Sequence, residues 1–129
     1  MNKRLLPEEY MYDMLKDVPD FRPSDGGNPR VYAERQEKAE FPSVVYYSFG
    51  GETTDTNRRT VLTSQDFRME IRVDDKSSTG GMKNLIRIRQ ASLEALRKGG
   101  RLARSYPPTT IYDPDVNANR EIVEVRIKA

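Results

Sequence analysis

The segment that decides the fold is Phe67-Arg68-Met69-Glu70-Ile71-Arg72-Val73-Asp74. Its apolar residues alternate strictly with charged residues from one end to the other. Successive side chains of a strand point to opposite faces of the sheet, so this alternation predicts one buried face and one charged face. We therefore expect a strand that covers the core on one side and meets solvent on the other.

An apolar run, Phe41-Pro42-Ser43-Val44-Val45-Tyr46-Tyr47-Ser48-Phe49, precedes this strand. It carries β-branched and aromatic residues on both alternating faces, which predicts a central strand covered on both sides. Tyr46, Tyr47 and Phe49 are accordingly expected in the core rather than in a ligand pocket. The polar segment Gly50–Thr60 has no periodicity, and we expect it to form a long flexible hairpin tip.

Residues 5–18 show the three- and four-residue spacing of apolar side chains that predicts an amphipathic helix. Pro7 fits the first helical turn, and Glu8 and Glu9 suit the positive end of the helix dipole. Pro19 is expected to end this helix, because proline cannot continue the helical hydrogen-bond pattern.

A second amphipathic helix is predicted after a polar turn over Asp75–Gly81, and it runs to about Lys98. Ser78 or Thr79 is a candidate N-cap for this helix. The pair Gly99-Gly100 supplies its C-cap, since glycine adopts the left-handed conformation that ends many helices.

Three further short segments have strand character, at residues 30–33, 109–112 and 122–127. The predicted order is α-β-β-β-α-β-β in a single domain spanning residues 1–129, which is long enough to bury one core. Two helices are too few to cover both faces of a parallel sheet. We therefore expect an α+β domain, with two helices packed on a mostly antiparallel sheet and a long mobile hairpin.

The chain contains no histidine and no cysteine. This composition excludes a Ser-His-Asp triad, thiol catalysis and a Cys/His zinc site. Carboxylates, lysines and hydroxyls remain, but none of them is arranged in a known catalytic signature. The sequence therefore predicts a protein that is not an enzyme, uses no cofactor or metal, and acts through shape and contacts.

The two predicted helical regions carry opposite charge. Residues 5–29 contain six acidic and two basic side chains, a net charge of −4, whereas residues 83–104 contain seven basic and one acidic, a net charge of +6. Such a chain can pair its two regions internally or with a neighbouring copy. The overall net charge of +2 is too small to indicate a general nucleic-acid binder.

Charged side chains of these regions and of the hairpin tip are the candidate subunit or partner contacts. They are Glu8, Glu9, Asp13, Asp17, Arg58, Arg59, Arg87, Arg89, Arg97 and Arg101. The basic series of the second helix is either a solvated face or a surface for an acidic partner. Arg89 points into the apolar arc of that helix, so it either extends to the helix edge or forms a buried ion pair between subunits. A tip as long as the one bearing Arg58 and Arg59 is either disordered or ordered by a partner.

Two motifs resemble ligand sites but favour plainer interpretations. Asp113-Pro-Asp115-Val-Asn117 with Glu124 overlaps the EF-hand template, yet Ala118 stands where that loop needs glycine, so we expect a hairpin turn. The segment Lys76–Lys83 lacks the spacing of a phosphate-binding loop, so we expect a capped helix start.

No signal peptide is predicted, because no apolar run follows the first residues, Met1-Asn2-Lys3-Arg4. No stretch approaches the roughly 20 apolar residues of a membrane span, so no membrane partner is expected. The lack of cysteine agrees with synthesis in a cytoplasm.

Several segments in fixed order carry a resemblance to a known family. They are Pro29-Arg30-Val31-Tyr32, Phe41-Pro42-Ser43-Val44-Val45-Tyr46-Tyr47, Phe67–Val73, Leu93-Glu94-Ala95-Leu96 and Tyr112-Asp113. With the short N-terminal helix, this order resembles the tail terminator (tail completion, head–tail joining) proteins of long-tailed bacteriophages and phage-like particles. The connection Glu34–Glu40 departs from the family, where it is usually apolar and contains proline.

The resemblance implies a structural role in the virion, at the head-proximal end of the tail, after assembly in the host cytoplasm. Such proteins form a hexameric ring that caps the finished tail tube, stops its growth and meets the head completion (stopper) protein. DNA passes through the lumen without sequence-specific binding, and there is no catalysis and no cofactor. We expect the acidic first helix of one copy to lie near the basic second helix of the next.

Other functions remain open at this point. The nearest is another ring-forming virion part, such as a head–tail connector adaptor or a tail tube subunit. A small nucleic-acid-binding module that uses the second helix is a third possibility. A hydrolase or transferase based on a carboxylate pair is a fourth.

Overall fold

The computed structural model describes residues 5–34, 41–56, 59–74, 81–113 and 118–129. Their elements are helix α1 (Pro7–Leu15), a 3₁₀ turn (Pro19–Phe21), strands β1 (Val31–Tyr32), β2 (Ser43–Thr56) and β3 (Arg59–Asp74), helix α2 (Gly81–Lys98), and strands β4 (Leu102–Ser105), β5 (Thr109–Asp113) and β6 (Ala118–Lys128). This arrangement confirms the predicted α+β class, with two helices and a mostly antiparallel sheet. The expected end of the first helix at Pro19 is wrong, because α1 ends at Leu15 and Pro19 begins the 3₁₀ turn.

The six strands form one open sheet in the order β1-β2-β3-β6-β4. The short strand β1 runs parallel to β2, and all other neighbours are antiparallel. Strand β5 also pairs with β6, on the edge that β4 uses farther along, because β3 occupies the other edge. Strands β2, β3 and β6 therefore form the structural centre, and short strands flank them.

The core lies between both helices and one face of the sheet. Alternate residues of β3, beginning at Phe67, are fully buried on this face, as their spacing predicts, and alternate residues of β6 beside them are buried too. Helix α2 covers them with Leu85, Ile88 and Leu96. Helix α1 packs on the same core cluster through Met11 and other residues.

The prediction that β2 is covered on both faces is wrong for its second half. Tyr46 is buried in the core, but Tyr47 is 37% exposed and Phe49 is 45% exposed. Both helices pack on the opposite face of the sheet, and Tyr47 and Phe49 keep contact with solvent. Nearer the start of β2 the same face is buried, at Val45 and at Glu70 and Arg72 of the neighbouring β3. Of the three aromatic residues expected in the core, only Tyr46 lies there.

Gly50–Thr60 belongs to a hairpin, as predicted, but its described part is regular paired strand rather than an irregular tip. Strands β2 and β3 stay paired from Gly50↔Asp66 as far as Thr56↔Arg59. The ladder is made by backbone groups, and its side chains face solvent, so no apolar periodicity marks it in the sequence. Residues 57 and 58 lie outside the described part.

The strand order differs from the predicted one by the added strand β4, and β6 begins earlier than expected, at Ala118. Strand β4 contains a single large apolar residue, Leu102, so its sequence gives little sign of a strand. The C-cap prediction is confirmed, because Gly100 has a φ of +82° after the last turn of α2. Ser78 and Thr79, the candidate N-caps, lie outside the described residues, as do residues 35–40 of the charged connection.

Gly99, directly after α2, lies against α1, and we predict that Gly99→Ala destabilises the fold. An added Cβ would lie 2.7 Å from Met14 Sδ and 2.7 Å from Tyr10 Cε2, and it would also meet the Tyr10 hydroxyl. That hydroxyl donates a 2.6 Å hydrogen bond to the Leu96 carbonyl, so the ring cannot move away freely. We expect a loss of about 1–3 kcal/mol, the usual cost of overpacking, in urea unfolding.

Gly50→Ala is the matched control, because no atom lies within 4 Å of its added Cβ and its φ is not positive. We expect its free energy of unfolding to stay within about 0.5 kcal/mol of that of the parent protein. Equal midpoints for both variants would contradict the close approach at Gly99.

Candidate assembly surface

Part of the β2–β3 hairpin extends past the rest of the sheet, and we call this part the arm (Thr53–Thr56 with Arg59–Leu62). The last residue of β3 that pairs with β6 is Ser64, opposite Lys128. The Ala129 amide still donates to the Thr63 carbonyl at 3.0 Å, and from Leu62 outward, within the described residues, β2 and β3 pair only with each other. At about 3.4 Å per residue, the arm reaches about 15 Å beyond the last row of three strands.

The arm exposes apolar side chains. Val61 is 43% exposed and Leu62 is 40% exposed, and consecutive strand residues point to opposite faces. Each face of the arm therefore presents one aliphatic side chain to solvent. Arg59 is exposed at the far end, where it is paired with Thr56 in the backbone ladder.

Two bulges separate the arm from the body. Phe49 is the extra residue of β2 at the first register shift, and Thr63 is the extra residue of β3 at the second. Gly51 lies between them, and an added Cβ there would come within 2.6 Å of the Ser64 carbonyl oxygen. Bulges bend a strand, so they set the direction of the arm relative to the body.

A cluster of two aromatic side chains and one arginine lies at the base of the arm, on the sheet face that no described helix covers. The Arg68 guanidinium carbon lies 5.2 Å from the Phe49 ring centroid and 5.9 Å from that of Tyr47. Its Nη2 also lies 2.9 Å from Glu124 Oε1. A side-chain hydrogen bond with Tyr47 and the ion pair with Glu124 raise the pKa of Arg68 above its ordinary value.

Ion pairs cross-link the strands on the rest of this face, which we call the uncovered face. Arg126 donates to both carboxylate oxygens of Asp66, at 2.8 and 3.1 Å, and to Glu52 at 2.7 Å. Arg120 pairs with Glu70 at 3.2 Å. The hydrogen bonds to Asp66 are the main cause of the raised pKa of Arg126. Each of these arginines is matched by a carboxylate, so the face has little net charge.

Strand β2 has an open edge within the described part of the chain. The short strand β1 pairs with Val44 and Val45 alone. From Tyr46 onward no described strand pairs with this edge of β2, although β3 covers the other one. Unpaired strand edges accept an additional strand from another chain.

A cleft of about 390 Å³ lies between α1 and β2, next to the open edge, and we call it the α1 cleft. Its apolar and aromatic surface comes from Leu5, Tyr12 and Tyr46. The charged side chains around it are Glu8, Glu9, Asp13 and Lys16. Burial is the main cause of the raised pKa of Tyr46, and the nearby Tyr12 and Glu8 add to it.

The acidic candidates on and after α1 make local contacts. Glu8 Oε1 accepts a 2.9 Å hydrogen bond from Gln65 Nε2, and Glu9 Oε1 accepts one from the Leu6 amide at 3.3 Å. The other two acidic candidates form ion pairs with neighbours in sequence, namely Asp13 with Lys16 at 2.8 Å and Asp17 with Arg22 at 3.2 Å.

Two basic candidates connect the α2 region to the α1 region within the same chain. Arg87 forms a forked pair with Asp20, at 2.7 and 3.1 Å, and this contact raises the pKa of Arg87. Arg101 donates to the Leu5 carbonyl at 2.8 Å and stacks over the Tyr10 ring at 4.9 Å. Part of the opposite charge of the two regions is therefore compensated internally.

Of the basic candidates Arg97 and Arg58, only Arg97 lies within the described residues. Arg97 pairs with Glu94 on its own helix at 2.9 Å. Arg58 lies outside the described residues. The expected contact between α1 of one copy and α2 of the next stays a prediction.

Arg89 forms its ion pair inside the chain, with Glu121 of β6. The Glu121 side chain is 1% exposed and that of Arg89 is 20% exposed. Thr110 Oγ1 approaches the second carboxylate oxygen at 3.5 Å. Sequence reasoning missed Glu121, although the alternation of β6 places it on the same face as Val123, Val125 and Ile127. A carboxylate at an inward-facing strand position, together with an arginine in the apolar arc of a helix, could have predicted this ion pair.

The two motifs that resemble ligand sites are only partly described. Asp113 faces Ala118 across the β5–β6 hairpin, which agrees with the hairpin interpretation, and Glu124 is paired with Arg68. Asp115 and Asn117 lie outside the described residues, as do residues 76–80 of the second motif.

Among the described residues, no group of three or more acidic side chains is placed to hold a metal ion. Neither described helix has the length and apolarity needed to span a bilayer.

The similarity of this chain to known proteins is confined to the fold. No family model matches the chain, and no curated protein matches it. Among solved structures, the chain is similar to a chain of the "Virion of native gene transfer agent (GTA) particle". The two chains are 12% identical, the match covers 92% of each, and the TM-score is 0.46.

Proposed function

We propose that this protein is a structural virion component that forms a closed ring of identical copies on the tail tube. The ring stops the growth of the tube and joins the tail to the head completion protein, without a catalytic residue or a cofactor. Two observations support the proposal. The order of segments in the sequence resembles that of tail terminators, and the exposed arm is explained if it contacts another molecule in an assembly. As in that family, the ring is expected to be a hexamer at the head-proximal end of the tail.

The arm is the observation that carries the proposal. A two-stranded ribbon alone is marginally stable in water, because it buries few side chains. The arm is such a ribbon, and it exposes Val61 and Leu62 on opposite faces. Covering them with a neighbouring molecule removes apolar surface from water and stabilises the ribbon. No described part of the same chain covers the arm, so its natural partner is another molecule.

The body of the domain offers surfaces that differ from the arm and are open to a second copy. They are the open edge of β2 from Tyr46 onward and the α1 cleft beside it. A contact between two different surfaces of identical chains is heterologous, and it forms a closed ring when the rotation between copies allows it. The same geometry without closure would produce a filament.

The uncovered face supports a separate contact with the tail tube or the head completion protein. Exposed Tyr47 and Phe49 surround Arg68, and aromatic residues and arginine dominate the residues that matter most in protein interfaces. This group lies at the base of the arm, so a ring held together by the arms would leave it near the subunit boundary.

In this proposal, DNA moves through the lumen of the ring and is not a bound ligand. Arg68, Arg120 and Arg126 on the uncovered face are all paired with carboxylates. Phosphate binding depends on cations that can neutralise the backbone, and paired arginines are poor at this. DNA is therefore expected to pass through the ring without sequence-specific binding.

Electron microscopy of the purified protein, alone and mixed with tail tube protein, tests the proposed function. We expect rings of uniform diameter that bind to the ends of tubes and prevent their elongation. Filaments of the protein alone would indicate a tube subunit instead. Retention on DNA at about 0.2 M salt would favour a nucleic-acid-binding module. Monomers that do not change the length of growing tubes would overturn the proposal.

The contribution of the arm is tested by replacing residues 53–62 with a two-residue Asn-Gly turn. We expect unchanged thermal unfolding, since the arm adds no side chain to the core, but a monomer in light scattering. Lys83→Ala is the control, because Lys83 is exposed at the start of α2, away from the arm. An arm-less protein that still forms rings would show that the arm does not hold the copies together.

A further inference from the structure

We propose that the arm of one copy docks in the α1 cleft of the next copy, so that Arg59 of the first faces Glu8 and Glu9 of the second. This inference rests on the proposed function, because it names the contact that closes the ring. It commits the cleft to one occupant, a second copy of this chain.

Two of the three carboxylates at the cleft form no ion pair with a described residue. Among the described residues, Glu8 is bound by a neutral amide from Gln65, and Glu9 by the backbone amide of Leu6. The third carboxylate, that of Asp13, is paired with Lys16. The side chains that line the cleft therefore carry a net charge of −2, from three carboxylates and one ammonium group.

The far end of the arm carries a cation, Arg59. The other charged residue of the arm is Asp55. Asp55 accepts a 2.8 Å hydrogen bond from the Thr60 hydroxyl, and within the described part of the chain Arg59 forms no ion pair. An unpaired cation at the end of the arm thus matches unpaired carboxylates at the cleft, and such complementarity sets the orientation of a contact.

The apolar surfaces also match. Leu6 is 58% exposed beside the cleft, and Tyr12 is 39% exposed within it. The arm brings Val61 two residues after Arg59, on the same face of the strand, and that side chain is 43% exposed. Seating Val61 against Tyr12 while Arg59 meets the carboxylates buries the apolar surface that each copy leaves open.

The location of the cleft favours a continuous ring. Glu8 accepts a hydrogen bond from Gln65, which lies in β3 three residues after the arm of its own chain. An arm from the preceding copy that enters the cleft therefore ends near the root of the next arm. The open edge of β2 borders the same place and gives the incoming strand a backbone to pair with.

Cysteine cross-linking tests the contact directly, because the natural chain contains no cysteine. We expect the double variant Glu9→Cys with Arg59→Cys to form a ladder of disulfide-linked copies on a non-reducing gel. The control pair, Lys83→Cys with Arg59→Cys, places its second cysteine on exposed α2 and should give no ladder above dimers. Equal ladders from both pairs, or none from the first, would overturn the inference.

Charge reversal gives an independent readout in light scattering. We expect Arg59→Glu to raise the protein concentration needed for half-assembly at least tenfold, and the added change Glu9→Arg to restore most of it. Rings that persist in every charge variant would overturn this contact while leaving the proposed function intact. A parent protein that never forms rings, alone or on tubes, would overturn the function itself.

Discussion

Glu121→Ala is expected to lower the free energy of unfolding by about 3 kcal/mol, the usual cost of breaking a buried ion pair. The Glu121 side chain is 1% exposed beneath α2, and its partner Arg89 is 20% exposed. Removing the carboxylate leaves a guanidinium group largely buried without its charge partner. Urea unfolding followed by circular dichroism measures the loss.

Two comparisons make this prediction specific. The double change Arg89→Met with Glu121→Leu removes both charges and keeps the volume, so we expect stability within about 1 kcal/mol of the parent. Glu124→Ala breaks a pair on the opposite face whose members are 36–37% exposed, and it should cost less than about 1 kcal/mol. Equal losses for Glu121→Ala and Glu124→Ala would show that burial does not govern the Arg89 pair.

Phe67→Ala is expected to cost about 3–5 kcal/mol, the range observed for removal of a buried aromatic ring. Phe67 is fully buried, and its ring packs edge-on against that of Tyr46, with centroids 6.4 Å apart and planes at 62°. The change opens a cavity in the core cluster to which β3 and both helices contribute. The measurement is again the urea midpoint.

Val61→Ala is the matched control, because Val61 lies on the same strand but in the arm. Its 43% exposure predicts a change within about 0.5 kcal/mol in the isolated protein. The same variant should weaken the assembly of copies, since Val61 is an exposed apolar residue of the arm. A large loss of stability in the isolated protein would mean that the arm packs on its own domain.

The sequence predicted the centre of the fold because burial there is periodic. The alternation from Phe67 to Val73 gave the buried face of β3, and the glycine pair after Lys98 gave the end of α2. Tyr10 and Leu85 could be assigned to helical faces because each helix has a single buried side. Local spacing is sufficient where one face of an element meets the core and the other meets water.

The same reasoning failed where side chains on both faces face solvent, or where a contact joins distant segments. The threonine-rich strands of the arm carry no periodic signal, because their ladder consists of backbone hydrogen bonds. The aromatic run of β2 predicted two covered faces, but Tyr47 and Phe49 are exposed. Helix packing decides which face of a sheet is covered, and no local pattern records that choice.

By itself, the sequence determined the α+β class, the position of both helices, the inner strands, and the absence of histidine and cysteine chemistry. Only the tertiary structure decided that Arg89 meets Glu121, that Gly99 must stay small against Tyr10, and that the arm stands apart from the body. The physical reason is the range of the interactions. Periodicity reflects the environment of neighbouring residues, whereas an ion pair across 32 positions or a steric contact across 89 exists only after the chain has folded.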